Sequence, residues 1–280
     1  MILVTGAAGR LGGMVVQMLN DAGKEVLGTD QKEQPQEFGA RYVQADLCDR
    51  ETVNGMVAEA EAVIHMGAIP GPGGDPQETF DNNTLSTFHV MWAAQQHKVK
   101  RVVFSSSAFG MGWAHDPTSF VPLYLPLDEA HPMMPFEPYG LTKQLGESIG
   151  AMVARSSSTS VVSLRFTNVV PPDRQSEFPW AAPTKQDPRT LVMWAYADPR
   201  DVAEAHVRSL DVEIDGHEAF MIAKPTTRFA EPTIELVKAN FGDAVEIRDG
   251  LEGNASVIST RKIERVMGFL PARDWRESAK

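Results

Sequence analysis

The feature that most constrains this chain is the stretch Thr5-Gly6-Ala7-Ala8-Gly9-Arg10-Leu11-Gly12. It follows the apolar run Ile2–Val4, which suits a buried strand, and it leads into Leu11–Leu19, where apolar residues recur at helical spacing until Gly23. A glycine pattern placed between a strand and a helix is the context in which backbone can cradle a dinucleotide pyrophosphate. Gly6 permits the tight turn, Gly9 lets the backbone approach the phosphates, and Gly12 lets helix and sheet pack closely. The positive N-terminus of the helix, with Ala8, Arg10 and Leu11 around it, then faces the anion. A glycine-rich turn with no ligand is the plain alternative.

The rest of the chain alternates in the same way. Strands are predicted near Glu25–Gly28, Arg41–Val43, Ala62–His65, Arg101–Phe104 and Val161–Leu164, and amphipathic helices are clearest at Thr84–Gln96 and Tyr139–Ala154. Right-handed crossovers turn this order into an α/β fold of Rossmann type, a doubly wound parallel sheet with helices on both faces. After about residue 165 the pattern loosens into Val170–Asp173 and Phe178–Pro188, before a helix-like Asp201–Ser209 and an apolar Ala219–Ala223. The expected organisation is a dinucleotide-binding domain over 1–165, with 196–223 returning to it, and a small C-terminal substrate lobe over 166–280.

Asp30 closes the second predicted strand, near the ~20-residue offset at which a carboxylate meets the ribose hydroxyls of NAD. Its charge disfavours the 2′-phosphate of NADP, although Lys32 could partly offset that; a solvated turn residue is the alternative. Asp46-Leu47, after the third strand, offers a carboxylate to the adenine amino group and an apolar cover for its ring, while Asp46 suits a helix N-cap equally well.

Tyr139-Gly140-Leu141-Thr142-Lys143 sets a phenol and an ammonium four residues apart, on one helix face. The cation is expected to lower the phenol's pKa, as a general base for a substrate hydroxyl requires near neutral pH. The same spacing also describes a solvated helix face, and only the upstream glycine pattern gives it weight. Ser105-Ser106-Ser107 reads as a loop at the carboxyl edge of the sheet, where open α/β folds bind ligands. Ser107, with Ser106 as the alternative, would hydrogen-bond the reacting oxygen. Arg174 and Arg189 are candidates to clamp a substrate carboxylate or phosphate in a bidentate fork, or else are ordinary surface arginines. The loop Pro70-Gly71-Pro72-Gly73-Gly74 is a candidate cover for the nicotinamide end, or a passive surface loop.

Composition narrows the function classes. No stretch approaches the ~20 apolar residues of a membrane span, and residues 1–5 read as strand, so a cytoplasmic protein is expected. Cys48 stands alone, without a partner for a disulfide or a zinc site. A net charge of −11 with scattered Lys and Arg argues against a nucleic-acid partner. The seven histidines show no paired metal-ligand spacing, so no metal is expected, and His65 reads as the end of a core strand. Of the tryptophans, Trp113, Trp180 and Trp194 fall on segments expected near a substrate.

Taken together, the glycine pattern, Asp30, the strand end His65-Met66-Gly67-Ala68, Asn83, Ser105–Ser107 and Tyr139/Lys143 resemble the extended short-chain dehydrogenase/reductase family, in its NAD-dependent epimerase/dehydratase group. The resemblance runs from residue 1 to about 210. It implies NAD bound along the strand ends, including Met66, Gly67 and Ala68, with Tyr139 exchanging a proton while the nicotinamide exchanges hydride. It implies that Lys143 also binds the nicotinamide ribose, that Ser107 is the catalytic hydroxyl, and that Asn83 shapes the site. Leu164-Arg165-Phe166-Thr167-Asn168 is similar to the apolar-Arg-x-x-Asn pattern that opens the substrate lobe, which makes Asn168 a candidate substrate ligand. A homodimer through the helices at 84–96 and 139–154 is also implied.

Two departures bear on the substrate. Gly110-Met111-Gly112 stands where many nucleotide-sugar epimerases carry Val-Tyr-Gly, and a shorter C-terminal part is expected to leave less protein for a uridine diphosphate. The run Arg189-Thr190-Leu191-Val192-Met193-Trp194, with Asp198 and Asp201 after it, is similar to uronate dehydrogenases. The first expectation is therefore NAD-dependent oxidation of a free sugar or sugar acid. The second is a nucleotide-sugar epimerase with tightly bound NAD, and the third, from another class, is an NAD-binding sensor or scaffold without catalysis.

Overall fold

The structure is a computed structural model that describes residues 1–36, 38–71, 73–112, 121–178 and 194–278. Seven strands form one parallel sheet in the order β3-β2-β1-β4-β5-β7-β8. They are β1 (Ile2–Thr5), β2 (Val26–Asp30), β3 (Arg41–Gln44), β4 (Ala62–His65), β5 (Arg101–Ser107), β7 (Ser160–Phe166) and β8 (His217–Ile222). The order reverses between β1 and β4, which opens a crevice at their carboxyl ends.

Alternating side chains explain why helices cover both faces. Leu3, Leu27, Val63, Val102, Phe104 and Val161 point to one side, where they meet α2 (Arg50–Ala58), α3 (Pro76–Gln96) and α4 (Pro138–Ser156) through Val57, Met91 and Val153. Val4, Ile64, Val103, Val162 and Phe220 point to the other, where α1 (Arg10–Asp21) brings Val15, Val16 and Leu19. On that side α6 (Pro199–Arg208) adds Val202, Ala203 and Ala205, so residues well past 165 complete the main sheet and its cover.

Several of the remaining elements build a smaller core, while Ile263 packs into the main one. A 3-10 turn at Ala108–Met111, β6 (Tyr124–Leu125), α5 (Pro172–Gln175), α7 (Thr233–Phe241), β9 (Glu246–Ile247), α8 (Arg261–Met267) and α9 (Trp275–Ser278) lie outside the sheet. β6 pairs with β9, and Leu125, Leu127, Trp194, Met221, Phe229, Val237 and Val257 pack together beside them.

Two element boundaries and one cap differ most from the sequence expectation. β5 does not stop at Phe104; its pairing with β7 continues through Ser107 opposite Phe166, so the three serines are strand residues and not a loop. Helix α3 begins at Pro76, capped by the Asp75 carboxylate on the Glu78 amide at 2.8 Å, because capping and a proline at the first position start a helix even where the first turns carry no apolar stripe. Asp46 is not a helix cap: Asp49 caps α2 by accepting from the Glu51 and Thr52 amides. No helix among the described residues is long and apolar enough to cross a membrane.

Candidate active site

The glycine stretch forms a turn pressed between β1, β4 and α1. Gly6 has φ of +68°, and a Cβ there would lie 2.8 Å from the Gly67 amide nitrogen. A Cβ on Gly12 would run into the Gly6 carbonyl oxygen, so only glycine lets the helix begin this close to the turn. The N-cap of α1 is Gly9, which offers no side-chain acceptor, and the first helical turn holds no carboxylate. The amides that open this helix thus face the crevice without a capping side chain or a repelling charge, which fits a pyrophosphate. Arg10 is exposed at the same end, Leu11 half-buried and Gly12 buried.

Asp30 stands at the adjacent strand end. One carboxylate oxygen accepts from the Ala8 amide and the other from the Lys32 amide, each at 3.2 Å, which ties the glycine turn to the loop after β2. Asp46 is exposed and accepts from the Cys48 amide at 2.8 Å, while Leu47 beside it is buried in the core. The Thr5 hydroxyl accepts from the Met66 and Gly67 amides, at 3.1 and 2.9 Å, and so shapes the backbone before Ala68. Asn83, buried on α3, donates to the Ile69 carbonyl and accepts from the Ile69 amide, at 3.0 and 2.8 Å. It staples the loop after β4.

Tyr139 and Lys143 lie on α4, whose start is fixed by Glu137 accepting from the Tyr139 and Gly140 amides. The helix sits close on the sheet: a Cβ on Gly146 would collide with the Phe104 ring. The Tyr139 phenol meets the Ser107 hydroxyl and the Gly71 backbone. Ser107 Oγ accepts from the Phe109 amide at 3.1 Å, which leaves its own proton for the phenol oxygen. Buried Lys143 donates to the Ser105 carbonyl at 2.8 Å, and its ammonium lies 5.4 Å from the Tyr139 ring centroid.

The electrostatics differ from the sequence expectation. Burial pushes the Tyr139 phenol up to about 12, against the opposing pull of its hydrogen bonds with Ser107 and Gly71. Burial pushes Lys143 down to about 8. Desolvation of the charged forms outweighs a lysine whose proton is directed at a backbone carbonyl.

Strand alternation separates the serines. Ser106 points toward α4 and donates to Glu147 Oε1 at 2.5 Å, and Glu147 in turn holds Arg165 of β7 in a buried pair at 2.8 and 2.7 Å. Ser106, the alternative catalytic hydroxyl, is therefore directed into an ion-pair network and away from the phenol. Ser105 points the other way and shares a 2.7 Å hydrogen bond with His206 Nε2. His65, pushed down to about 3 by burial and then by Lys143, bridges Thr5 and Thr87 at 2.8 and 3.1 Å.

Asn168 lies half-buried just past β7, its carbonyl accepting from the Ala197 amide at 2.9 Å. Arg174 is exposed on α5 and engages Glu177 at 3.4 Å, the surface alternative rather than a clamp in the crevice. Arg189, Trp113 and Trp180 lie outside the described residues, as does Pro72 of the candidate cover loop. Glu147, Arg165 and His206 are the network residues that spacing alone does not single out. Glu147 does continue the Tyr139/Lys143 spacing by another four residues, which is the one available signal.

A model of the NAD dependent epimerase/dehydratase family matches residues 2–223. UDP-glucose 4-epimerase of Streptococcus mutans is 26% identical over 318 aligned residues, covering 98% of this chain and 92% of that protein. Uronate dehydrogenase of Pseudomonas putida is 28% identical over 172 residues, 61% of each chain. The chain spans about half the length of several other curated relatives it matches. Among solved structures, a short-chain dehydrogenase/reductase superfamily protein from Agrobacterium tumefaciens with bound NAD superposes with a TM-score of 0.76 at 26% identity, covering 100% of this chain and 95% of that one.

Proposed function

The chain belongs to the NAD dependent epimerase/dehydratase family, and from that premise we propose that it oxidises a hydroxyl of a free sugar or sugar acid, with Tyr139 taking the proton. The observation that carries this reading is the buried Tyr139 phenol, beside the Ser107 hydroxyl and the Gly71 backbone, with the buried Lys143 ammonium 5.4 Å from its ring centroid. They stand at the carboxyl edge of the sheet that also presents the uncapped start of α1.

NAD fits the residues present. The turn Gly6, Ala8, Gly9, Arg10, Leu11 and Gly12 would hold the pyrophosphate, and Asp30 the adenosine ribose hydroxyls, its charge disfavouring a 2′-phosphate. Asp46 and Leu47 would take the adenine. Met66, Gly67 and Ala68, held by Thr5 and Asn83, would line the middle, and Tyr139 and Lys143 would meet the nicotinamide ribose. When bound, the nicotinamide supplies the acceptor for the hydride that leaves the substrate carbon. With substrate bound, the Ser107 hydroxyl turns its one proton from the phenol to the reacting oxygen and orients it. Tyr139, as the phenolate, removes the hydroxyl proton while the carbon–oxygen double bond forms, and the protonated phenol returns it in the reverse direction. Burial keeps the phenol protonated up to about 12, so oxidation gains as pH rises toward that value. Asn168, just past β7, would take a substrate hydroxyl.

A second reading, a nucleotide-sugar epimerase that returns the hydride to the opposite face, draws on the alignment with the S. mutans epimerase over nearly the whole chain. Incubation of the purified protein with NAD and a panel of aldoses, uronates and nucleotide sugars separates the two. A dehydrogenase accumulates NADH in proportion to product, whereas an epimerase forms product with no net NADH. We also propose a homodimer through α3 and α4, whose outer surfaces expose Leu85, Phe88 and Leu141.

A further inference from the structure

Lys143 is anchored by a carbonyl, and that carbonyl belongs to a residue held from behind. Ser105 sits one residue past the last paired position between β4 and β5, His65 opposite Phe104. Its carbonyl accepts the Lys143 ammonium at 2.8 Å, and its hydroxyl reaches through to His206 Nε2 at 2.7 Å on the α6 side of the sheet. His206 is fully buried, and its Nδ1 stands 2.7 Å from the Val202 carbonyl of its own helix. Burial pushes this imidazole down to about 4, with Lys143 adding to the effect, so the ring is neutral and carries its single proton on Nδ1. Nε2 is then left as an acceptor, and the Ser105 hydroxyl must be the donor.

We propose that His206, acting through Ser105, is a positioning residue for Lys143: the tether from α6 fixes the strand segment whose carbonyl anchors the ammonium beneath Tyr139. The inference rests on Tyr139 and Lys143 being the acid-base pair. The titratable groups facing Lys143 are Tyr139 from its own helix, His65 from β4 and His206 from α6, with the Phe104 ring of β5 at 5.1 Å from the ammonium to the ring centroid. Both histidines are neutral, so the Ser105 carbonyl, the ammonium's hydrogen-bond acceptor, favours the charged lysine together with the faces of the Phe104 and Tyr139 rings. Loosening it lowers the lysine pKa further.

The test follows Lys143 directly, in protein carrying 13C-labelled lysine, by the pH dependence of its side-chain NMR signal, assigned by its loss in Lys143→Met. His206→Ala and Ser105→Ala are expected to lower the lysine's midpoint by about one pH unit, the loss of part of a charge-assisted hydrogen bond. Turnover of whichever sugar the parent oxidises should fall about tenfold with KM for that sugar little changed. Ser105→Thr keeps the hydroxyl and should restore both. If the midpoint and turnover stay at the parent values while only the melting temperature drops, His206 is structural and the proposal is overturned. Should His206→Ala fail to fold, the Ser105 pair gives the same decision. Failure of the underlying functional reading looks different: Lys143→Met would then turn over as fast as the parent.

Discussion

Acid should destabilise this protein partly through His65, a group remote from any solvent. The ring is fully buried between Thr5 and Thr87 and beside the Lys143 charge, which holds its pKa at about 3 against an ordinary value of 6.5. In the unfolded chain the same imidazole takes up a proton near 6.5, whereas the folded protein refuses it until about 3. Stability from His65 is thus complete above 6.5 and is lost as pH falls through this window. The gap corresponds to about 5 kcal/mol in full, of which about 2 kcal/mol is lost between pH 7 and pH 5. Urea unfolding of the parent and of His65→Asn at these two pH values isolates the contribution, because other titrating groups cancel in the comparison. At pH 7 the variant should be the less stable, and its deficit should shrink by about 2 kcal/mol at pH 5. A deficit that stays constant within about 0.5 kcal/mol across both pH values would refute the claim that His65 is held neutral by burial.

Other perturbations address separate parts of the site. Glu147→Gln leaves the Arg165 guanidinium buried without its carboxylate and should cost about 3–5 kcal/mol in urea unfolding, part of which Glu147→Gln/Arg165→Leu should recover. Asp30→Asn should raise KM for NAD about tenfold or more and narrow the preference over NADP, read from kcat/KM with each cofactor; an unchanged ratio would remove Asp30 from the ribose.

The fold is legible in the sequence because its signals are local. The glycine turn, the strand-helix alternation and the i,i+4 pair on α4 all lie within short windows, and the structure places a parallel sheet around them. What escapes those windows depends on partners far along the chain. Ser105–Ser107 look like loop residues because three consecutive hydroxyls rarely suit a buried strand. They are buried here since His206, Glu147 and Tyr139 each supply a partner. The sign of the Tyr139 shift was also invisible to spacing, which reports that a lysine is near but not that both groups are desolvated. Arg174, which by type suits either a carboxylate clamp or a surface position, engages Glu177 on the surface. Strands as short as Tyr124–Leu125 and Glu246–Ile247 carry no periodicity to read, so the smaller core emerges only from the packing.

The most direct test of the acid-base role is NADH formation by Tyr139→Phe, measured with a sugar that the parent oxidises and alongside NAD affinity by calorimetry. The phenylalanine keeps the ring against Phe109 and removes the hydroxyl that exchanges the proton. NAD affinity within about threefold of the parent, with kcat lower by about a thousandfold, is the predicted result. Turnover at the parent rate with NAD still bound would contradict it.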